Sequence, residues 1–260
     1  MATCSSSAGS SAGSGAGSGS SKGVARESIP ESRSAVELTD AEARELKDQY
    51  ESDFDAATKK SIEKYISNTD FDGKGHSMAQ TMNFLINNDI DIQTASREEI
   101  NRKFGFSLTE RQWKMMQKTD ANVDKAMHPI GKPVILQRGA HAGEMSRNFG
   151  ITNYDSLSEA ELKSRLVGAT FQNKAVMSTS YDVKSNPFLG GGSATGGREI
   201  VYNIKTSSGT KMVWGATSQT EAVLGKKINW RVTDVHYTGK IAHPRSGGSY
   251  KQLQIDIEAY

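Results

Sequence analysis

The chain is poor in cysteine, with one residue, Cys4, among 260. A single thiol cannot form an intramolecular disulfide, so the disulfide-stapled folds are excluded. The five histidines lie far apart in the sequence, and none has the spacing of a metal-ligand motif. We therefore expect neither a metal centre nor a Cys-His nucleophile.

Long apolar runs are also missing, since none approaches the ~18 residues that a membrane span needs. Hydrophobic residues make up 35% of the chain and charged residues 24%, which is typical of a globular protein. The net charge of +2 is too small to indicate a nucleic-acid partner by electrostatics alone. The first residues show no basic-then-apolar pattern, and Ala2 replaces the glycine of myristoylation. We expect a soluble protein without a membrane partner.

Serine, glycine and alanine make up almost all of residues 5–23. Such a stretch cannot bury enough apolar surface to offset the entropy of ordering. We expect disorder as far as Ser34, which divides the chain into a tail (1–35) and a folded domain (36–260). The tail is either dispensable or a tether to a larger carrier polypeptide.

Helical patterns begin at residue 39. Capping-box spacing occurs at Thr39–Glu42, Ser96–Glu99 and Ser107–Glu110. Apolar residues between these sites recur every three or four positions, which predicts four or five helices over 40–127. Residues 68–73 mimic the start of a calcium-binding loop, but Ala79 stands where that loop needs glutamate, so we expect a solvated turn.

Short apolar runs replace this pattern after residue 128. They predict strands at 133–138, 174–180, 198–205, 211–214, 221–224, 228–237 and 251–258. One further helix is predicted where Ser158–Glu161 has capping-box spacing. Helices followed by strands indicate an α+β domain.

Three polar motifs stand beside these predicted strands. They are Arg138-Gly139, Ser178-Thr179-Ser180 and the Gln219-Thr220-Glu221 stretch. Gln219 and Glu221 would project to one face of an extended segment. Taken singly, each motif also fits an ordinary strand end, with a solvated charge or a hydroxyl bonded to the backbone.

In this order, the three motifs resemble those of the mono-ADP-ribosyltransferase superfamily, in the branch of the clostridial Rho-modifying exoenzymes and binary actin-modifying toxins. The resemblance covers about residues 40–260. It implies an N-terminal helical layer followed by a mostly antiparallel, two-sheet β core of the ADP-ribosyltransferase type. It also implies NAD as a substrate.

The resemblance gives several residues a role in binding NAD. Arg138 would hold a phosphate, and the backbone of Gly139 would bind the nicotinamide amide. Ser178 would orient the catalytic glutamate and contact the nicotinamide ribose, within a segment completed by Thr179 and Ser180. The family usually has an aromatic residue just before the arginine, where this chain has Gln137.

A glycine-rich stretch follows the second motif. The resemblance makes Phe188 the ring that stacks on nicotinamide and Arg198 a second phosphate ligand, although Arg198 lies further along than the family pattern expects. The open alternative is a loose hairpin connection.

The resemblance makes Glu221 the catalytic carboxylate that binds the ribose 2′-hydroxyl. Gln219 would recognise the acceptor, together with Trp214, which is otherwise a buried aromatic residue. Because glutamine cannot ionise, arginine is disfavoured as the modified residue.

The implied function is transfer of ADP-ribose from NAD to a macromolecule, with a protein acceptor favoured over nucleic acid. The implied context is a bacterial or phage effector toxin that acts in the cytoplasm of a target cell. An immunity protein and a carrier polypeptide are partners left open. The alternatives are an NAD glycohydrolase, a nucleic-acid ADP-ribosyltransferase and a catalytically silent binding module.

Overall fold

The computed structural model describes residues 31–183, 198–215, 220–242 and 250–260. Its α-helices are α1 (Asp40–Glu51), α2 (Ala56–Ile66), α3 (Met78–Asn87), α4 (Arg97–Phe104), α5 (Glu110–Ala126), α6 (Gly143–Phe149) and α7 (Glu159–Leu166). Its strands are β1 (His128–Pro129), β2 (Ile135–Ala140), β3 (Thr170–Gln172), β4 (Met177–Ser180), β5 (Ile200–Lys205), β6 (Lys211–Trp214), β7 (Glu221–Leu224), β8 (Asn229–Ala242) and β9 (Tyr250–Ala259).

Polar side chains cap most of the predicted helices. Thr39 and Ser158 form the expected capping boxes at α1 and α7, and Ser96 caps α4 with its hydroxyl alone. The start predicted for α5 is wrong by two residues, because Thr109 is the N-cap in place of Ser107. Leu108 is 1% exposed, so this leucine packs in the core at the position directly before the N-cap of α5.

The described strands form one nine-stranded sheet in the order β1-β6-β7-β4-β2-β5-β9-β8-β3. Seven of its eight strand pairings are antiparallel, and β5 with β9 is parallel. Strands β2 and β4 share a single residue pair, Gln137 with Ser180. The sheet therefore has two parts that meet at this pair, and the predicted α+β, mostly antiparallel class is confirmed.

Each face of the sheet buries its own apolar cluster. Helices α2 to α5 pack through residues such as Leu85 and Met116 against Val213 of β6, Val223 of β7 and Val176, which directly precedes β4. The other cluster joins α1, α6 and α7 to the opposite side chains of the strands. The alternation of neighbouring strand residues between the two clusters follows from the two-residue period of a β-strand.

The predicted tail boundary is too far along the chain. Residues Glu31–Ser34 form a turn of 3₁₀ helix, and Ser32 is completely buried. Ser32 donates to Glu258 of β9, and Glu31 accepts hydrogen bonds from the backbone and side chain of Ser208. These contacts tie residues 31–34 to the domain, whereas residues 1–30 lie outside the described part of the chain.

Residues 68–73, which mimic the start of a calcium-binding loop, lie in the connection between α2 and α3. Asp70 accepts the Gly73 backbone N–H, and Asp72 accepts the Lys74 N–H and bonds to the His76 ring. Both carboxylates therefore stabilise a local turn. Within the described ranges, no helix is both long and apolar enough to cross a bilayer.

Candidate active site

The three sequence motifs meet on neighbouring strands, in the order β7-β4-β2. Ser180 pairs with Glu221 on one side and with Gln137 on the other. Residues that face each other across antiparallel strands project to the same side of a sheet. Glu221, Ser180 and Gln137 therefore form a row, and Ser178, two residues before Ser180, projects from the same side.

The Arg138 side chain reaches across the junction between the two parts of the sheet. Its Nη1 donates to the carbonyl oxygen of Ser178 at 3.2 Å, and its Nη2 donates to Glu144 of α6 at 2.8 Å. Its Nε is buried and has no hydrogen-bond partner among the described residues. Two of its nitrogens are therefore fixed by hydrogen bonds, while the side chain as a whole remains 25% exposed.

Glu144 is a site residue that sequence reasoning missed. Burial lowers the pKa of Arg138, but the charge and hydrogen bond of Glu144, with smaller effects of Tyr202 and Tyr65, raise it by more. The carboxylate also lies 3.5 Å from Arg147 one turn along α6. Its only sequence signal is an acidic residue in the first turn of a short helix, which is favourable at any helix start.

The S-T-S segment is rigidly held. Thr179 is buried and donates to the carbonyl of Ala222 at 2.6 Å, on the side of the sheet away from Ser178. The Ser180 hydroxyl bonds to the Thr220 hydroxyl at 2.8 Å and accepts the backbone N–H of Asp182. The second motif is thus fixed directly to the residue that precedes Glu221.

Glu221 is the first residue of β7 and is partly exposed. Thr220 before it has a φ of 52°, in the left-handed region that few non-glycine residues adopt. Its carbonyl accepts the Tyr181 N–H, and the Glu221 carbonyl accepts the Gly215 N–H at 2.9 Å. Backbone bonds to β4 and to the end of β6 therefore fix the position from which the Glu221 side chain projects.

The Tyr65 side chain of the helical layer interacts electrostatically with both Arg138 and Glu221. Tyr65 of α2 is 2% exposed, and burial raises its pKa above the ordinary value. Its hydrogen bond to Asn83 and the positive charge of Arg138 lower that pKa, while the negative charge of Glu221 raises it. Arg138 and Glu221 thus both lie within electrostatic range of Tyr65.

Two neighbours of Arg138 on β2 complete the first motif. Gly139 pairs with Val201 of β5. Gln137, which stands where the family has an aromatic residue, is 9% exposed, and its Oε1 has no partner among the described residues. A buried amide oxygen of this kind is suited to a ligand donor.

Arg198 lies just before β5 and contacts His141, three residues after Arg138. Because arginine only donates, the Nε2 of His141 accepts and its Nδ1–H donates to Glu199 at 2.9 Å. Glu199 is 5% exposed. This relay holds Arg198 near the end of β2, on the same strand pair as Arg138.

Trp214 is 3% exposed, and its ring packs edge-on against Tyr181 at 5.7 Å. A ring buried in this way does not contact a macromolecular acceptor in this conformation, in contrast with the role that the resemblance implied. Phe188 and Gln219, the remaining predicted site residues, lie outside the described part of the chain.

No family model matches the chain, and no curated protein sequence matches it. Solved structures do match. C3stau2 from S. aureus, solved with NAD, is 14% identical with a TM-score of 0.54, over 87% of this chain and 98% of that one. The Clostridium limosum C3 exoenzyme is 17% identical with a TM-score of 0.53, over 89% of this chain and all of that one.

The ADP-ribosylating toxin BECa of C. perfringens, solved with NADH, is 13% identical with a TM-score of 0.55. The chain has the ADP-ribosyltransferase fold. The match covers 85% of this chain but only 48% of BECa, so the chain spans about half the length of that toxin. The fold that the three motifs implied is confirmed, and at these identities the likeness concerns the fold alone.

Proposed function

We propose that this chain transfers ADP-ribose from NAD to a macromolecular acceptor and releases nicotinamide. The observation that carries the proposal is the arrangement of Arg138, Ser178 and Glu221 on three adjacent strands, with Arg138 bonded to the Ser178 carbonyl. Binding a pyrophosphate and breaking a ribosyl bond need a cation, a hydroxyl and a carboxylate, and these three strands carry one of each where the two parts of the sheet meet.

The residues present suit NAD as a substrate. Its pyrophosphate needs a cationic donor, and Arg138 is a cation whose side chain is 25% exposed. Glu144 and the Ser178 carbonyl fix the guanidinium through its other nitrogens, so it need not be ordered when the phosphate binds. Arg198, held by His141, supplies a second cation.

Glu221 is the residue assigned to the bond-breaking step. The bond between ribose C1′ and the nicotinamide nitrogen breaks, and its electron pair leaves with nicotinamide. Positive charge builds on the ribose, as in glycoside hydrolysis. A fixed carboxylate beside the ribose 2′-hydroxyl stabilises this charge, and the acceptor then bonds to C1′ and loses a proton. In this proposal Ser178 and Ser180, which project from the same side of the sheet as Glu221, orient the ribose and the carboxylate.

The acceptor is proposed to be a protein side chain other than arginine. Gln219 stands two residues before Glu221 and cannot carry the negative charge that would pair with a guanidinium. The proposed toxin context is supported by solved structures with this fold that are described as toxins. In that context, an immunity protein and a larger carrier polypeptide are further proposed partners, and the target-cell cytoplasm is the proposed site of action.

The experiment is to incubate the protein with NAD labelled in its adenylate part and a cell lysate. Transfer predicts label on macromolecules that is lost after protease treatment. The matched control is Glu221→Gln, which keeps the size of the side chain but removes its charge, and we expect its nicotinamide release to fall by about 10²–10³-fold.

Three other outcomes would each contradict the proposed activity or the proposed protein acceptor. Free ADP-ribose without labelled macromolecules would indicate an NAD glycohydrolase. Label that survives protease but is lost to nuclease would indicate a nucleic-acid acceptor. Equal background turnover by the parent and Glu221→Gln would indicate a catalytically silent module.

A further inference from the structure

Gly215, the residue after β6, lies directly against the Glu221 side chain. A Cβ atom added to Gly215 would stand 2.7 Å from Glu221 Oε2 and 2.8 Å from both its Cβ and its Cγ. Carbon atoms pack favourably at about 3.5 Å or more, so any side chain here would displace Glu221 by roughly 0.7 Å. The absence of a side chain at 215 therefore makes the space that Glu221 occupies.

The backbone of Gly215 does not itself require glycine. Its φ lies outside the left-handed region, unlike that of Gly131 or Gly239. An alanine at 215 would thus adopt the same backbone conformation without strain, and its cost would come from the contact with Glu221. This separates Gly215 from glycines that are needed only for a turn.

Helix α1 holds the backbone on both sides of this contact. Lys47 donates its ammonium group to the Gly215 carbonyl at 3.0 Å, and Glu51 accepts the Trp214 N–H at 2.6 Å. Lys47 and Glu51 are four residues apart, so they project from the same face of α1. Glu51 is 7% exposed and also bonds to His128, which fixes the carboxylate in turn.

We propose that Gly215 is a positioning residue for Glu221, and that Lys47 and Glu51 form a clamp on α1 that keeps Gly215 in place. The inference rests on the proposed function, in which Glu221 is the catalytic carboxylate. Gly215 supplies the space beside the carboxylate, and the clamp prevents the strand end from moving away when ligands bind. The orientation of Glu221 is therefore set jointly by β4, β6 and α1.

The direct test is Gly215→Ala, with Gly209→Ala as the matched control. Gly209 lies in the connection between β5 and β6, has no left-handed φ, and a Cβ there meets nothing within 4 Å. A displacement of a catalytic group by nearly 1 Å costs about 10–100-fold in rate. We expect kcat for nicotinamide release to fall by that factor in Gly215→Ala, with the KM for NAD and the Tm close to those of Gly209→Ala.

A double-mutant cycle separates positioning from general damage. If Gly215 acts through the Glu221 carboxylate, Gly215→Ala causes no further loss in the Glu221→Gln background. Loss of the same factor in both backgrounds would overturn the proposal, since the effect would then not pass through Glu221. Lys47→Met tests the clamp, with an expected fall in kcat of about threefold or more and an unchanged KM.

The outcomes distinguish this inference from the function on which it rests. An active parent with an equally active Gly215→Ala would overturn the positioning role alone. A parent that releases no nicotinamide would overturn the proposed function, and the positioning role with it. If Gly215→Ala lost activity but also had a lower Tm and a raised KM for NAD, the loss would come from impaired folding, and this would contradict the positioning role.

Discussion

Replacing Arg138 with lysine tests how the guanidinium is used. Lysine keeps the positive charge beside Glu144, but its single nitrogen cannot reproduce the planar fork that bonds to Glu144 and to the Ser178 carbonyl at the same time. A hydrogen bond to a charged group contributes about 1.5–3 kcal/mol, and each 1.4 kcal/mol is tenfold in affinity. Because the side chain is 25% exposed, solvent weakens the bond, and we expect the KM for NAD to rise about 10–50-fold.

The matched control is Arg147→Lys. Arg147 contacts the same carboxylate at 3.5 Å but is 46% exposed. We expect it to leave the KM for NAD within about twofold, because a surface ion pair contributes about 0–1 kcal/mol. The assay is initial-rate nicotinamide release over a range of NAD concentrations, with Tm measured for each variant. An Arg138→Lys protein with unchanged KM, or equal KM changes in both variants, would refute the reasoning.

Three predictions concern stability. Leu85→Ala removes a completely buried side chain of the helical cluster and should lower the free energy of unfolding by about 2–5 kcal/mol, measured by urea denaturation. Asn173→Ala should cost at least as much, roughly 3–5 kcal/mol in the same assay, because its amide makes four hydrogen bonds, of which three are buried. Hydrogen bonds from Thr39 and from Lys132 lower the pKa of the Glu42 carboxyl from 4.5 to about 2. The ionised carboxylate therefore stabilises the fold above pH 4.5, and this contribution is lost as the pH falls towards 2. The Tm of the parent should therefore fall more between pH 5 and pH 3 than the Tm of Glu42→Gln, whose amide still caps the helix but does not titrate. Equal falls in Tm would contradict a stabilising role of the Glu42 charge.

The predicted helices have recognisable capping motifs in their own sequence. Capping-box spacing located the starts of α1 and α7, whose N-caps are Thr39 and Ser158 as predicted. Helix α6 escaped prediction because it has seven residues and no side-chain cap, starting instead from Ala142 with Gly143 in its first turn. Strands β1 and β3 have two and three residues, too few to show a period of two, and pair with β6 and β8 only through the tertiary fold.

The site residues also divide into those that a sequence motif reveals and those that leave no such signal. Arg138, Ser178 and Glu221 belong to short polar motifs beside predicted strands, and the sheet order places those strands next to one another. Arg138 lies within β2 and not at its end, where the sequence pattern places it. Glu144 and Gly215 leave no such signal, because one matters for its bond to Arg138 and the other for the space it leaves beside Glu221. Contacts between residues far apart in sequence, such as Trp214 with Glu51, which are 163 positions apart, cannot be obtained from spacing.

A crystal structure of the protein with NAD bound tests the central claim most directly. The account predicts a phosphate oxygen within hydrogen-bond distance of the Arg138 guanidinium and a hydroxyl of the nicotinamide ribose about 3 Å or less from the Glu221 carboxylate. NAD bound elsewhere, or bound with its nicotinamide ribose out of reach of Glu221, would contradict it.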